Sequence, residues 1–342
     1  MSYFVYLCRR KYTTIQELCI KTPFGLVVLL INFIKRILMA LNFVKKLIPR
    51  KLILFRRSLI PAFRVITRKN MKRNKLIPIL HIHLTDHCNL NCRGCDNFSP
   101  LSPEVFADID VVNSDCARIS ELSGGKVSEV QLLGGEPLLH PQVSEFMDIA
   151  RKHFPTSPIS IVSNGLLLSK QQASFWESCK KNDIQIVVTK YPVNVDYNSI
   201  EQYALEQGVN FRFYGSTGTV PKTMQCAPLD ISGKQNPRDS FLRCNSANRC
   251  IAMDNGKIYT CSLIPYVKYF NARFNQELIV TDKDYIDIYK AGSIDEILSF
   301  ISRPMPFCRY CNRKGIIWDI GFGSSKKDIT EWTGPACNLK QD

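Results

Sequence analysis

Between residues 78 and 214 the chain repeats one unit. A run of five to seven residues rich in Ile, Val, Leu or aromatic side chains is followed by a stretch whose apolar positions recur every three or four residues. The runs at 79–85, 129–133, 159–163, 184–189 and 210–214 predict strands, and PQVSEFMDIARKHF (141–154) and LSKQQASFWESCKKN (168–182) predict helices. Such alternation predicts an α/β fold of parallel strands joined by crossover helices, as an open sheet or a barrel. In these folds reactive groups gather at the carboxyl ends of the strands. Here those ends carry TDHCNLNCRGC, LLGGEPLLHP and VSNG. The alternation LHIHL places His81 and His83 on one face of the first strand, as interior packing residues rather than ligands.

Charge divides the chain of 342 residues unevenly. Its net +15 comes from residues 1–77, where 18 Lys or Arg face one acid, Glu17; the remainder is close to neutral, with 27 basic and 29 acidic residues. Within that quarter, residues 24–55 mix apolar runs with basic pairs. On a helix Lys35, Asn42 and Lys46 share one narrow face. A transmembrane span would bring Lys35 and Arg36 near the bilayer centre at about 2.5–3.5 kcal/mol each. Lying in the interface avoids that cost and places the cations among anionic headgroups. The expectation is therefore a basic amphipathic anchor over 1–77, peripheral on the cytoplasmic membrane face. A helical cap on a partner fits less well, and a nucleic-acid arm least, because such arms rarely carry so much Leu, Ile, Phe and Val. No nucleic acid is expected as a partner.

Fourteen cysteines exceed what packing explains, and several fall in close groups. Without a recognisable secretory signal, grouped cysteines read as thiolate ligands in a reducing compartment. Cys8, Cys19, Cys116 and Cys179 lack a near partner and read equally well as buried apolar residues. Cys88, Cys92 and Cys95 are spaced C-x3-C-x2-C, so three thiolates can wrap one face of an iron–sulfur cube and leave the fourth iron open. A zinc site would need a fourth ligand, for which His87 is adjacent.

With GGEP (Gly134, Gly135, Glu136, Pro137) at the next strand end, CNLNCRGC resembles the radical S-adenosylmethionine (SAM) superfamily. That resemblance implies a partial (β/α) TIM-type barrel over 78–238 and a 4Fe-4S cluster on Cys88, Cys92 and Cys95. The free iron would be chelated by SAM, which one electron cleaves to methionine and a 5′-deoxyadenosyl radical. It further implies that main chain from Gly134 to Glu136 holds the SAM amine, that Ser163 and Asn164 contact its ribose or carboxylate, and that a flavodoxin or ferredoxin serves as electron donor. The residue before the third cysteine is usually aromatic in this family; here it is Gly94, and Phe98 is the candidate to replace that surface.

Beyond residue 238, Asn255-Gly256 between apolar alternations predicts a hairpin with a type I′ turn. Cys244, Cys261, Cys308 and Cys311 resemble the twitch version of the auxiliary-cluster modules that follow radical SAM barrels. They imply a second 4Fe-4S cluster in a C-terminal domain over 239–342. Cys250 faces Cys261 across the hairpin and competes with Cys244 as first ligand. Cys226 and Cys337 have no assigned role, and a structural zinc site is the alternative for the set. Lys190, Tyr191, Cys226 and Asp319 are acid–base or radical-quenching candidates, each more readily structural. An auxiliary cluster and a membrane anchor together suggest radical oxidation or epimerisation of a sugar or related polar headgroup, a lipid-linked glycan included. Modification of a peptide or protein side chain, and a membrane-tethered zinc-binding adaptor without catalysis, are the alternatives.

Overall fold

The computed structural model describes residues 72–214, 224–315 and 317–334, save 227, 245, 248 and 321. The expected anchor over 1–77 lies outside the described residues as far as residue 71, as do Cys8, Cys19 and Cys337. Among the described residues no helix is long and apolar enough to cross a membrane.

Five strands form close to where the apolar runs predict them: β1 (Ile79–Thr85), β2 (Val130–Gly134), β3 (Ile159–Ser163), β4 (Ile184–Val188) and β5 (Phe211–Phe213). All pair in parallel, in the order β5-β4-β3-β2-β1. Helices α1 (Ile109–Ser123), α2 (Val143–His153), α3 (Ala173–Lys181) and α4 (Tyr197–Glu206) make the crossovers. The start of α1 is set by Asp108, whose carboxylate accepts the Asp110 and Val111 N–H groups at 2.9 and 3.1 Å. It stops at Gly124, which takes the left-handed conformation at φ 61°.

After β6 (Met224–Cys226) and α5 (Pro237–Arg243) comes the hairpin of β7 (Cys250–Asp254) and β8 (Lys257–Tyr259). Asn255 and Gly256 turn it at φ 47° and 72°, both left-handed as a type I′ turn requires. Asp254 pairs with Lys257 and Ala252 with Tyr259. The hairpin joins the main sheet: β7 lies parallel beside β1, Leu80 opposite Ile251 and Ile82 opposite Met253. With β9 (Tyr285–Asp287) the sheet has eight strands, β5-β4-β3-β2-β1-β7-β8-β9, six of them parallel. The parallel α/β class is the one expected, with strands in a partial-barrel arrangement; beyond expectation, residues 239–342 contribute three strands to the same sheet. At the other end, Ile77 is already buried and bridged to Val127.

Helices α6 (Leu263–Phe274), α7 (Ile294–Ile301) and α8 (Thr330–Thr333) and strand β10 (Ile317–Ile320), antiparallel to β6, complete the chain. The core is continuous: Leu80, Ile82, Leu132 and Ile161 on the sheet belong to one buried cluster with Ile119, Phe146 and Trp176 of the helices. Each such side chain contributes about 1.5–3 kcal/mol.

Candidate active site

The three-cysteine loop leaves the carboxyl end of β1. At its start Asp86 accepts a hydrogen bond from the Tyr269 hydroxyl and lies 3.9 Å from Lys268 Nζ. The next residue, His87, turns away from the thiols: its Nδ1 accepts the Val105 N–H at 3.2 Å and its ring meets Phe106 edge-on. That leaves the cysteines without the histidine partner a small zinc site would draw on.

Burial pushes the Cys88 thiol up to about 12, and negative charge at Glu136, Cys95 and Cys92 adds to it. Burial raises Cys95 as well. Cys88 thus senses the other two sulfurs in a poorly solvated loop, where the neighbouring Arg93 guanidinium does not offset the burial of its thiol. An iron cluster provides the missing positive charge, so the donor set fits a thiolate-ligated cluster. Among the described residues no three His, Cys, Asp or Glu side chains are grouped as ligands of a single ion. In a 4Fe-4S cube each thiolate binds its own iron, so its ligands stand farther apart.

Gly94 explains its own departure from the family pattern. It sits at φ 62°, and a Cβ there would come within 2.9 Å of the Glu331 carbonyl oxygen. Phe98 does not replace the missing ring: it is fully buried between Phe270 and Trp332. The aromatic side chain that feels all three thiols is Tyr191, packed edge-on against Phe322 at 5.4 Å. Lys190 beside it lies 3.8 Å over the Phe213 ring, a packing role.

GGEP is threaded under the same loop. A Cβ on Gly134, at φ 147°, would lie 2.1 Å from the Thr85 oxygen, and one on Gly135 would lie 1.9 Å from the His87 oxygen. Gly135 N–H donates to Thr85 C=O at 2.8 Å and Glu136 N–H to His87 C=O at 3.1 Å. Asn97 Nδ2 donates to Gly134 C=O at 3.0 Å and Thr85 Oγ1 to Glu136 C=O at 3.0 Å. The Gly135 carbonyl accepts from no described residue, which leaves it able to accept from an amine.

The Glu136 carboxylate, fully buried, accepts from Ser163 Oγ at 2.7 Å, Asn164 N–H at 2.8 Å and Leu138 N–H at 3.2 Å. Asn164 Nδ2 donates to Asn89 Oδ1 at 2.7 Å and lies 3.8 Å from Cys88 Sγ. Ser163 and Asn164 therefore brace the ends of β2 and β3 against the cysteine loop. Burial raises Glu136 from 4.5 to about 7. Between those values the unfolded chain gives up its proton while the folded one keeps it. Folding stability therefore falls as pH rises from about 4.5 to about 7 and is level above, a change on the order of 3 kcal/mol. Glu136→Gln is expected to remove this slope in melting curves recorded from pH 5 to 8, and an unchanged slope would assign it to another group.

The C-terminal cysteines lie near one another. Cys244 packs with Phe241 and Ala247 against Cys308. Burial pushes Cys261 well up, with Cys311, Cys244 and Cys308 adding to it, and raises Cys308 to about 12 with Cys311 and Cys244 adding. Cys250, raised to about 11 by burial, senses Cys244 but none of the other three. Cys244, Cys261, Cys308 and Cys311 thus raise one another, and Cys250 touches that set only through Cys244.

Two features were missed from sequence. Arg313, two residues past Cys311, is buried beside these sulfurs. Burial alone would lower its guanidinium, but the negative potential of Cys244, Cys311, Asp96 and Cys261 outweighs it and holds it above its usual value. The other feature is residues 322–334, which clamp the first loop. Arg93 N–H donates to Gly323 C=O and Ser325 N–H to Asn91 C=O, each at 2.7 Å, and Trp332 Nε1 donates to Cys95 C=O at 3.0 Å. Removing the Trp332 contact with Trp332→Ala is expected to lower iron retention at the first loop on gel filtration while the second group keeps its iron. Equal loss from both would contradict a local clamp.

Cys116 and Cys179 are buried in the core, Cys179 Sγ 3.7 Å from Met147 Sδ. The side chains of Cys226 and Asp319 lie outside the described residues.

Residues 82–197 match the family model described as the Radical SAM superfamily. A GTP 3′,8-cyclase of Chlorobaculum tepidum is 33% identical over 97 residues, 28% of this chain and 28% of that protein. A second, of Aquifex aeolicus, is 29% identical over 137 residues, 37% of this chain and 39% of that protein. The chain thus spans well under half the length of these curated relatives. The solved structure of BtrN in complex with AdoMet and 2-DOIA covers 69% of this chain and 93% of its own, at 15% identity and a TM-score of 0.44. The chain carries a radical SAM domain, and that superfamily uses a 4Fe-4S cluster and SAM.

Proposed function

We propose that the chain is a radical SAM enzyme that takes a hydrogen atom from a sugar or related polar headgroup, lipid-linked glycans included, and oxidises or epimerises that centre. Support comes chiefly from one observation: Cys244, Cys261, Cys308 and Cys311 converge as a second thiolate group in the same fold as the three-cysteine loop. When bound, a SAM-ligating cluster supplies the electron that splits SAM into methionine and a 5′-deoxyadenosyl radical. An auxiliary cluster supplies a sink for the electron that a hydroxyl-bearing substrate radical sheds, with a proton, as it becomes a carbonyl.

In this reading Cys88, Cys92 and Cys95 hold the first cluster and leave one iron open. The Gly135 carbonyl takes the SAM amine, and Glu136, Ser163 and Asn164 keep that loop rigid. Tyr191 faces the thiols where the family's usual aromatic is missing. The chain needs a low-potential reductant of the flavodoxin or ferredoxin kind. Residues 1–71 hold it to an anionic membrane surface, and deleting them is expected to abolish cosedimentation with anionic vesicles. The GTP 3′,8-cyclase relatives favour a second reading, a nucleotide substrate, over the quarter to two fifths of the chain they cover.

The test is a Cys261→Ser/Cys308→Ser variant, reduced and supplied with SAM and sugar or glycolipid fractions. It is expected to keep 5′-deoxyadenosine formation and to lose carbonyl product at least about 100-fold. Product formed at the wild-type rate would remove the auxiliary group from the chemistry, and turnover of GTP alone would replace the sugar reading.

A further inference from the structure

Opposite its apolar face, the sheet carries a polar row: His81, Gln131, Ser160 and Gln185 stand side by side in register on four parallel strands. Parallel strands covered on both faces are ordinarily apolar on both. A polar row persists where that face borders water or a ligand. Glu129 knits the row together, its Oε1 accepting from Gln131 Nε2 at 2.7 Å and Ser160 Oγ at 2.9 Å. His83 stands on the same face, one layer nearer the strand ends. Thr85 follows and ties that layer to Glu136 of the SAM loop.

His83 has none of the row's internal hydrogen bonds. Its imidazole stacks on Tyr266 of α6, centroids 4.3 Å apart and planes at 12°. The two residues are 7% and 1% exposed, and among the described residues neither ring nitrogen of His83 nor the Tyr266 hydroxyl has a hydrogen-bond partner. A buried polar atom left unpaired destabilises the fold that holds it. Three of them meet in one stacked pair, where two phenylalanines would fill the same space without that cost. Burial, with His81 and Lys268 adding, holds the imidazole down to about 3. It is therefore neutral and presents one donor and one acceptor. Lys268, whose Nζ lies 5.8 Å from the Tyr266 ring centroid, is already beside Asp86.

We propose that His83 and Tyr266 form a substrate subsite for a neutral, hydroxyl-bearing ring of the sugar or polyol class. The inference rests on the radical SAM reading of the same sheet and sharpens its substrate. Hydroxyl groups satisfy all three orphaned atoms, because each can donate and accept. A phosphate or carboxylate would need a cation that a neutral imidazole does not provide.

Tyr266→Phe deletes one oxygen from the stack and His83→Phe keeps the stack without its nitrogens. Melting curves are recorded on full-length, cluster-reconstituted protein with SAM, alone and with myo-inositol, glucose or GTP as probes. Without a probe, Tyr266→Phe is expected to melt at or above wild type. A polyol is expected to raise the wild-type midpoint, and each variant is expected to need at least about 10-fold more of it. Lower melting of Tyr266→Phe without a probe would mean that the fold itself satisfies the hydroxyl. No polyol response in wild type, an equal response in the variants, or a response to GTP alone would each overturn the subsite. Iron content and 5′-deoxyadenosine formation of the same wild-type samples report separately on the radical reading.

Discussion

Replacing Cys88, Cys92 and Cys95 together by Ala is expected to lower the iron of anaerobically reconstituted protein from about eight to about four atoms per chain, and to abolish 5′-deoxyadenosine formation. The two effects are linked by charge. In the bare loop burial holds the Cys88 and Cys95 thiols in their protonated form, so the loop binds a cluster only by releasing those protons to iron. Without the thiols nothing else compensates: His87 faces Val105, and the Asn164 amide near Cys88 is a donor rather than a ligand. The second group contacts other elements and should keep its iron. Wild type and variant both holding about four irons would mean that this loop carries no cluster.

Gly135→Ala is expected to have the largest effect of any single methyl group. Its Cβ would fall 1.9 Å from the His87 carbonyl oxygen and 2.9 Å from that of Asp86. Both are backbone atoms, so the strain is not relieved by a side chain swinging aside. Either the GGEP turn or the first residues of the cysteine loop must move, breaking the bonds from Gly135 N–H to Thr85 and from Glu136 N–H to His87. Overpacking of this kind costs about 1–3 kcal/mol or more. The same displacement misplaces the Gly135 carbonyl. A lower melting temperature and SAM affinity weakened at least about 10-fold are the expected outcome, read by calorimetry on the reconstituted protein. Gly124→Ala is the control: its backbone is left-handed, yet its Cβ would meet nothing within 4 Å. Equal SAM affinity in Gly135→Ala and wild type would contradict the assignment.

Local physics made the strands legible. β1 and β3 begin and end where their apolar runs do, and the Asn255-Gly256 turn sets the hairpin register that the dipeptide implies. The cysteine spacing was equally readable, because thiols this close in sequence cannot be far apart in space. That β7 would join β1 was not readable, since strand partners far apart in sequence are chosen by packing rather than by pattern. The same holds for residues 322–334, which grip Asn91 and Arg93 through main-chain bonds that leave no trace in side-chain type, and Cys95 through the Trp332 indole, whose partner lies 237 residues away. Phe98 looked like an available ring because it follows Cys95 closely. Its left-handed backbone at φ 55° turns it into the core. Glu136 was read for its main chain, and its side chain proved to be the brace between β2 and β3.

The most direct test reduces the reconstituted full-length protein anaerobically with SAM and follows both halves of the SAM molecule by mass spectrometry. Cleavage at an open cluster corner predicts 5′-deoxyadenosine and methionine in equal amounts, absent when Cys88, Cys92 and Cys95 are replaced. Intact SAM, or S-adenosylhomocysteine in place of deoxyadenosine, would contradict the radical assignment.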